Sequence, residues 1–388
     1  MSCVQLAAVT AYTTPPPWRI LTKSGYFVGL CGAIGATVTY AAVVRPVLRA
    51  PTSERGDVAA LRRRSAAYLA WAGVVLLVAG YLELAARVAG ARRHLPFGQA
   101  LAPGRIWDFL RAPAARGAWV SQGTVYLVQS IVLVLACAAL VSLFGPGARR
   151  HLDALALTAL PLSVAVTLIA EIPTTVPADP SHALELVLDQ VHIVGGTVWL
   201  GGLALLAALA AARRHLGGNA GLLWADIWRR FSFVALVCVG AVLISGLWLA
   251  WKHVGSIGQL WTTTYGFLLL IKITMVLGMV AAGGANQFWL MPRIARARQA
   301  DATASLLHLT LRHFPKVVWG EVALGAGVLG VVPFLSGSAR SQAGGPAPVA
   351  TGSVFAVGAA LALTLAASLY VTARTSEALA RRQVPATS

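Results

Sequence analysis

Apolar runs long enough to span a bilayer, which takes about 20 residues in a helix, recur along the whole chain. The runs Ser24–Val44 and Phe231–Trp251 contain no charged residue at all. The pattern predicts an all-α protein, a polytopic transmembrane helix bundle of about nine spans, or eight if the last does not cross. The predicted spans are 24–44, 66–86, 124–144, 153–172, 185–211, 232–251, 265–285, 318–336 and 352–372.

These spans divide the chain into a first four-span bundle and a second four-span core. In chain order we predict an N-terminal tail (1–23), the first bundle (24–172) with an external loop (87–123), the second core (185–336), a linker with the final span (337–372) and a C-terminal tail (373–388). The linker begins with a stretch rich in Gly, Ser, Ala and Pro, which is typical of flexible segments.

Basic residues indicate the orientation of the spans. The loops after odd-numbered spans and the C-terminal tail hold 20 Lys and Arg, whereas the N-terminal tail and the other loops hold 10. The positive-inside rule then predicts an outside N-terminus and a cytoplasmic C-terminus. Loop 87–123 is an exception, with six arginines on the predicted outer side. Its segment Ile106–Leu110 is either a short helix lying on the outer membrane face or part of an ordered loop.

Composition agrees with a membrane protein. The chain is 57% apolar and 11% charged, whereas soluble domains carry about 25% charged residues. The net charge of +18 would otherwise suggest a nucleic-acid partner. Here the arginines form short clusters between apolar runs, so we expect no nucleic acid. The preference for Arg over Lys favours a GC-rich bacterial genome, and hence the bacterial cytoplasmic membrane as the location.

Polar residues follow one face of the fifth predicted span. Glu185, Asp189, His192, Gly196 and Trp199 recur at spacings of three and four, which places them on a single helical face. At 1.5 Å per residue, the histidine lies about 10 Å deeper than the first acid. We interpret the glycine as a small residue that lets another helix backbone approach.

The seventh span carries a second polar stripe. Tyr265, Lys272, Met279 and Asn286 recur at intervals of seven residues, with Met275 beside them. Because a buried ammonium is costly without a partner, Lys272 is expected to pair with a carboxylate of a neighbouring helix. Glu83 and Glu171 belong to the same predicted outer half. The predicted transport path and its charge partners are Glu171, Glu185, Lys272, Trp199 and Tyr265.

Imidazole and thioether groups are ligands that suit copper, and Cu(I) favours sulfur. His192 and Asp189, with Met275 or Met279, would supply such a site. The acidic residues and the histidine would bind zinc, protons or an organic cation almost as well. Each residue also has a structural interpretation: the histidine as a hydrogen-bonding group between helices, and the methionines as core packing.

Several motifs of the second half resemble the copper-resistance protein D (CopD-like) family of integral membrane proteins. His192 precedes Trp199-Leu200-Gly201-Gly202-Leu203, which is similar to the family's Trp-Leu-Gly-Gly-Leu signature. The other matching segments are Arg230-Phe231-Ser232, Ser245-Gly246-Leu247, Thr264-Tyr265-Gly266, Leu268-Leu269-Leu270-Ile271-Lys272 and Asn286. Residues 185–290 carry this resemblance.

The resemblance implies a copper-homeostasis protein, a member of a group usually proposed to move copper ions inward across the cytoplasmic membrane. It implies that His192, Trp199, Tyr265 and Lys272 are functional residues. A copper ion is the implied ligand, and the lipid bilayer and a separate extracytoplasmic copper-binding protein are the candidate partners.

Two other classes remain as alternatives. One is a non-transporting accessory protein for cuproenzyme assembly or copper sensing. The other is a haem-binding electron carrier, which needs two well-placed intramembrane histidines, whereas only His192 lies clearly inside a predicted span. An enzyme is not expected, because no nucleophile with a neighbouring base accompanies Glu171 or His192.

Overall fold

The structure, a computed structural model, describes residues 12–50, 54–91, 95–176, 180–211, 220–286, 314–345 and 351–382. Within these ranges the secondary structure is helical and contains no strand, which confirms the all-α fold class. The same ranges contain eight helices long and apolar enough to cross a membrane. The chain is therefore a multi-pass membrane protein. Which side of the membrane each terminus occupies stays a prediction.

The eight helices correspond to the first eight predicted spans. They are α1 (Pro17–Leu48), α2 (Arg55–Ala91), α3 (Gln122–Phe144), α4 (Ala148–Ala170), α5 (Ser181–Ala210), α6 (Leu222–His253), α7 (Thr264–Ala285) and α8 (Val317–Phe334). A further helix, α9, covers Gly352–Arg382. Its apolar part, Gly352–Ser368, is shorter than the other candidate spans. Whether α9 crosses the membrane therefore stays a prediction.

Several helices extend beyond the predicted spans. Helix α1 begins at Pro17 and not at residue 24, with the proline in its first turn, where its fixed φ suits a helix start. Helix α2 begins at Arg55 and ends at Ala91, beyond both edges of the predicted span 66–86. Hydropathy detects the part of a helix that matches the hydrocarbon core, whereas the hydrogen-bonded helix continues into more polar surroundings.

The helices form two groups that meet along α1 and α5. In the first group α1 packs on α2, α2 on α3, and α3 on α4. In the second group α5 packs on α6 and on α8, and α7 packs on α8. Extensive contact between α1 and α5 joins the groups, so the space enclosed between them is lined from both halves of the chain.

Helix α1 crosses α5 with its backbone in direct contact. A methyl group at Gly201 would overlap the carbonyl oxygen of Cys31, and one at Gly35 would overlap the carbonyl oxygen of Thr197. At this crossing α1 has a π-helical segment, Cys31–Gly35, whose residues are all buried. The predicted close approach of a helix backbone to α5 therefore occurs here. It does not occur at Gly196, around which there is open space.

The predicted short helix in the connection between α2 and α3 is present. It covers Pro103–Leu110, and its buried residues Ile106 and Leu110 belong to a small apolar cluster with Ala85 and Val88 of α2. The apolar face of this helix is thus packed on the protein. Its location on the outer membrane face stays a prediction.

The first part of the predicted flexible linker is folded. Residues Ala339–Gln342 form a short helix, and the Arg340 side chain donates hydrogen bonds to the carbonyl oxygens of Trp251 (3.0 Å) and Lys252 (3.2 Å). These hydrogen bonds attach the segment to the C-terminal end of α6. Residues 346–350 of the linker lie outside the described residues.

The close backbone contact at the helix crossing predicts how a substitution there changes the thermal stability of the protein. Gly201→Ala places a methyl group against the Cys31 carbonyl, and such overpacking costs about 1–3 kcal/mol. We expect a lower midpoint of thermal unfolding for the detergent-purified protein, measured by size-exclusion chromatography after heating. Gly196→Ala is the matched control on the same helix, because its methyl group meets open space. Equal midpoints for the two variants would contradict the packing described here.

Candidate functional site

A cavity of about 1240 Å³ lies between the two groups of helices. Its lining includes Arg19 of α1, Asp189 of α5, His253 of α6 and Tyr265 of α7, all in the predicted outer half of the protein. The lining residues farthest from the predicted outer ends of α1, α5 and α7 are Cys31, Leu200 and Met279, and Cys31 and Leu200 adjoin the crossing of α1 with α5. The crossing therefore forms the floor of the cavity.

Most of the predicted site residues are brought to this cavity. Those that line it are Glu171, Asp189, His192, Trp199, Tyr265, Lys272 and Met279, together with Glu83. Trp199 and Tyr265 are both buried, and the Tyr265 ring stacks on His253 with 5.8 Å between the ring centroids. The two polar faces recognised on the fifth and seventh spans thus converge on one space.

Two predicted site residues lie elsewhere. The carboxylate of Glu185 forms an ion pair with Lys252 and lies 3.3 Å from His182 Nδ1, outside the cavity lining. Met275 packs against α8, where a methyl group added at Gly327 would come within 3.1 Å of its sulfur. Met275 is therefore a packing residue in this structure, and Met279 is the methionine at the cavity.

The imidazole of His192 is held by the next helix. Its Nδ1 lies 3.1 Å from Ser245 Oγ, and the Ser245 hydroxyl donates its proton to the Ala241 carbonyl oxygen at 2.6 Å. With its own proton directed to Ala241, the serine oxygen is available to accept a hydrogen bond from Nδ1–H. In a neutral imidazole with its proton on Nδ1, Nε2 keeps a free lone pair. Ser245 therefore selects the tautomer that leaves Nε2 available as a ligand.

A glycine next to this serine makes room for the ring. A methyl group at Gly246 would lie 3.2 Å from His192 Cε1, which is tighter than an ordinary van der Waals contact. The Ser245-Gly246 pair of the sequence motif thus has two physical roles, as a hydrogen-bond acceptor and as a flat surface. Sequence reasoning placed this pair in the family motif but did not connect it with His192.

Lys272 and Asp189 share the cavity without direct contact. They interact electrostatically, but the ion pairs within 4.0 Å among the described residues do not include Lys272. Glu171 forms no such ion pair either, and its charged neighbours include Asp189, Glu185, Arg87 and Lys23. The expected direct ion pair of Lys272 is therefore replaced by a longer-range attraction to Asp189.

Three cations that the sequence analysis counted as flanking charges also line the cavity, namely Arg19, Lys23 and Arg87. Arg87 Nε lies 3.4 Å from Glu83 Oε1, and its guanidinium covers the ring of Tyr126 at 4.6 Å. Lys23 and Arg87 each lie one residue outside a predicted span, so hydropathy gave no reason to place them inside. The outer part of the cavity is consequently a region of mixed charge.

Glu171 follows the last residue of α4 at the edge of the same cavity. Burial raises the pKa of its carboxyl group above the usual range, and the nearby carboxylate of Asp189 raises it further. Arg87 and Lys23 act in the opposite direction. The burial of this side chain and its acidic neighbour outweigh the two cations, so Glu171 takes up a proton more readily than an exposed glutamate.

Within the described residues, no group of three or more His, Cys, Asp and Glu side chains is close enough to hold a metal ion. A site with three protein ligands built from the described residues of the cavity would therefore need a donor of another kind, such as methionine sulfur. Of the predicted metal ligands, His192, Asp189 and Met279 line the cavity, and they offer nitrogen, oxygen and sulfur donor atoms.

Residues 225–335 match the family model described as copper resistance protein D. The resemblance to the CopD-like family is confirmed. The match includes Tyr265, Lys272 and Met279, whereas Asp189 and His192 precede it.

A curated relative is "Copper transport protein CutJ" of Bacillus subtilis (strain 168), which is 25% identical over 228 residues. The alignment covers 58% of this chain and 39% of the relative, so the chain spans about two fifths of that protein's length. No solved structure matches the chain.

The electrostatic coupling across the cavity can be tested with double variants. Lys272→Met leaves Asp189 without this cation, and we expect reduced thermal stability. Adding Asp189→Asn should recover part of the loss, because coupled sites typically show interaction energies of about 0.5–3 kcal/mol. Adding Glu171→Gln serves as the control and should recover nothing. Additive loss in both double variants, measured as unfolding midpoints, would reject the coupling.

Proposed function

We propose that this protein is a copper transporter, in which a copper ion enters the cavity, binds His192 and is moved inward across the membrane. The process is transport and not catalysis. The family match and the name of the Bacillus subtilis relative support copper as the cargo. The single observation that carries the proposal is the Ser245–His192 hydrogen bond, which leaves Nε2 with a free lone pair.

The donor atoms of the cavity favour a soft metal ion. Imidazole nitrogen and thioether sulfur are both good ligands for copper, and sulfur favours Cu(I). His192 and Met279 line the same cavity from α5 and α7. Asp189 lies one helical turn from the histidine and adds a carboxylate. We assign these three residues as the ligand set and leave out Met275, which packs against α8.

The positive charge of Lys272 influences which metal ion the cavity can bind. A resident Lys272 attracts Asp189, and an entering ion competes for the same carboxylate. A singly charged ion with nitrogen and thioether sulfur ligands depends less on that carboxylate than a divalent cation such as Zn²⁺ would, because its charge is smaller. This argument favours Cu(I) over Zn²⁺ in the proposal. Delivery by a separate extracytoplasmic copper-binding protein belongs to the same proposal.

The ligand role of His192 predicts a specific pattern in proteoliposome uptake of Cu(I). His192→Ala and His192→Gln should both abolish uptake while the protein remains folded, because an amide replaces a hydrogen bond but binds copper poorly. Ser245→Ala should weaken uptake by about 10-fold to 100-fold, the usual effect of losing a hydrogen bond to a metal-binding histidine. His182→Ala, an exposed position, is the control.

Normal copper uptake by a folded His192→Gln protein would reject the ligand role and favour an accessory function in cuproenzyme assembly or copper sensing. Zinc uptake at the same rate as copper in the unmodified protein would reject the choice of metal.

The two methionines of α7 provide a matched pair. Met279→Leu removes a sulfur at the cavity floor, and we expect the apparent Km for Cu(I) to rise about tenfold, equivalent to the loss of ~1.4 kcal/mol of binding. Met275→Leu changes the same atoms on the same helix but faces α8, so its Km should stay unchanged. The measurement is initial uptake against Cu(I) concentration. A larger effect at Met275 than at Met279 would overturn the ligand set.

A further inference from the structure

A second cavity lies at the opposite end of the first helix group, where α1 ends and α2 begins. Its volume is about 600 Å³, and the connection between α3 and α4 forms its other wall. This is the end that the positive-inside rule predicts to be cytoplasmic. Five arginines line it, and no acidic residue is among its lining residues: Arg55, Arg62, Arg63, Arg149 and Arg150.

Two of these arginines are held in fixed positions. Arg62 donates to Asp153 Oδ1 at 3.1 Å, but the same carboxylate also binds Arg45 and Arg49, so it compensates only part of their charge. Arg149 donates to the carbonyl oxygens that end α3, at 3.0 Å for each bond. Carbonyl groups orient a guanidinium without neutralising it, so the cavity keeps a positive charge at a defined place.

The other three arginines, Arg55, Arg63 and Arg150, are exposed, and their side chains make no hydrogen bond or ion pair with other described residues. Arg55 also stands at the first turn of α2, where the helix dipole adds positive potential that Asp57 of the same turn offsets in part. The arrangement is therefore a concave surface with excess positive charge, and the guanidinium donors of these three arginines are not used by any described residue.

We propose that this arginine cavity binds the phosphate group of an anionic phospholipid. Guanidinium groups recognise phosphate through paired, charge-assisted hydrogen bonds. Basic cavities between membrane helices on the cytoplasmic side are suited to anionic headgroups. The apolar residues Leu48, Val58 and Pro146 also line the cavity, and they can contact the glycerol and upper acyl carbons of a lipid. A free phosphate ion would gain nothing from them.

The test uses the full-length protein purified in a neutral detergent. Binding of phosphatidylglycerol, phosphatidylcholine and inorganic phosphate is measured separately by native mass spectrometry and by the shift of the unfolding midpoint. Arg63→Gln/Arg150→Gln removes two exposed donors of the cavity. Arg105→Gln/Arg116→Gln, at two exposed positions in the connection between α2 and α3, is the matched control with the same change in net charge.

We expect phosphatidylglycerol to bind in preference to phosphatidylcholine, with at least a tenfold loss of affinity in Arg63→Gln/Arg150→Gln and little change in the control. Equal affinity for the two lipids would overturn the proposal, as would the same loss in both double variants, which would indicate a general charge effect. Inorganic phosphate that binds as strongly as the lipid would also overturn it, since the occupant would then be a free anion.

Discussion

The direct backbone contact of α1 with α5 is the constraint on which the candidate site depends. Gly35 and Gly201 allow the two helices to approach until carbonyl oxygens occupy the space where a Cβ atom would be. Small residues at helix crossings replace the hydrophobic driving force that is missing between helices in a bilayer. Because this contact lies at the depth of Cys31 and Leu200, it closes the cavity from below and holds the first helix group against the second.

The cavity above this crossing combines the imidazole of His192 with charged side chains of both signs. The Ser245 hydroxyl fixes the orientation and tautomer of His192. Lys272 and Asp189 attract one another without meeting, and the outer part contains Arg87 with Glu83 and other charged groups. Charges inside a membrane protein are expensive unless they face a polar interior. Their concentration in one cavity is consistent with a path for a charged substrate.

Much of the fold and part of the candidate site could be predicted because both rest on local patterns. An apolar run of sufficient length defines a spanning helix whatever its neighbours are, so α1–α8 were expected. Helical periodicity placed Asp189, His192 and Trp199 on one face of α5, and Tyr265, Lys272 and Met279 on one face of α7. These faces do line the cavity. Sequence alone therefore determined the membrane architecture and the two polar helix faces.

Only the tertiary structure decided which helices those faces meet and at what rotation. Helix orientation in a membrane depends on packing with neighbouring helices and not on hydropathy. Met275 and Met279 are one turn apart, yet one packs on Gly327 and the other lines the cavity. The side chains of Lys23 and Arg87 line the cavity because their helices continue past the apolar runs. The partner of His192 comes from 53 residues away, a distance over which sequence periodicity carries no information.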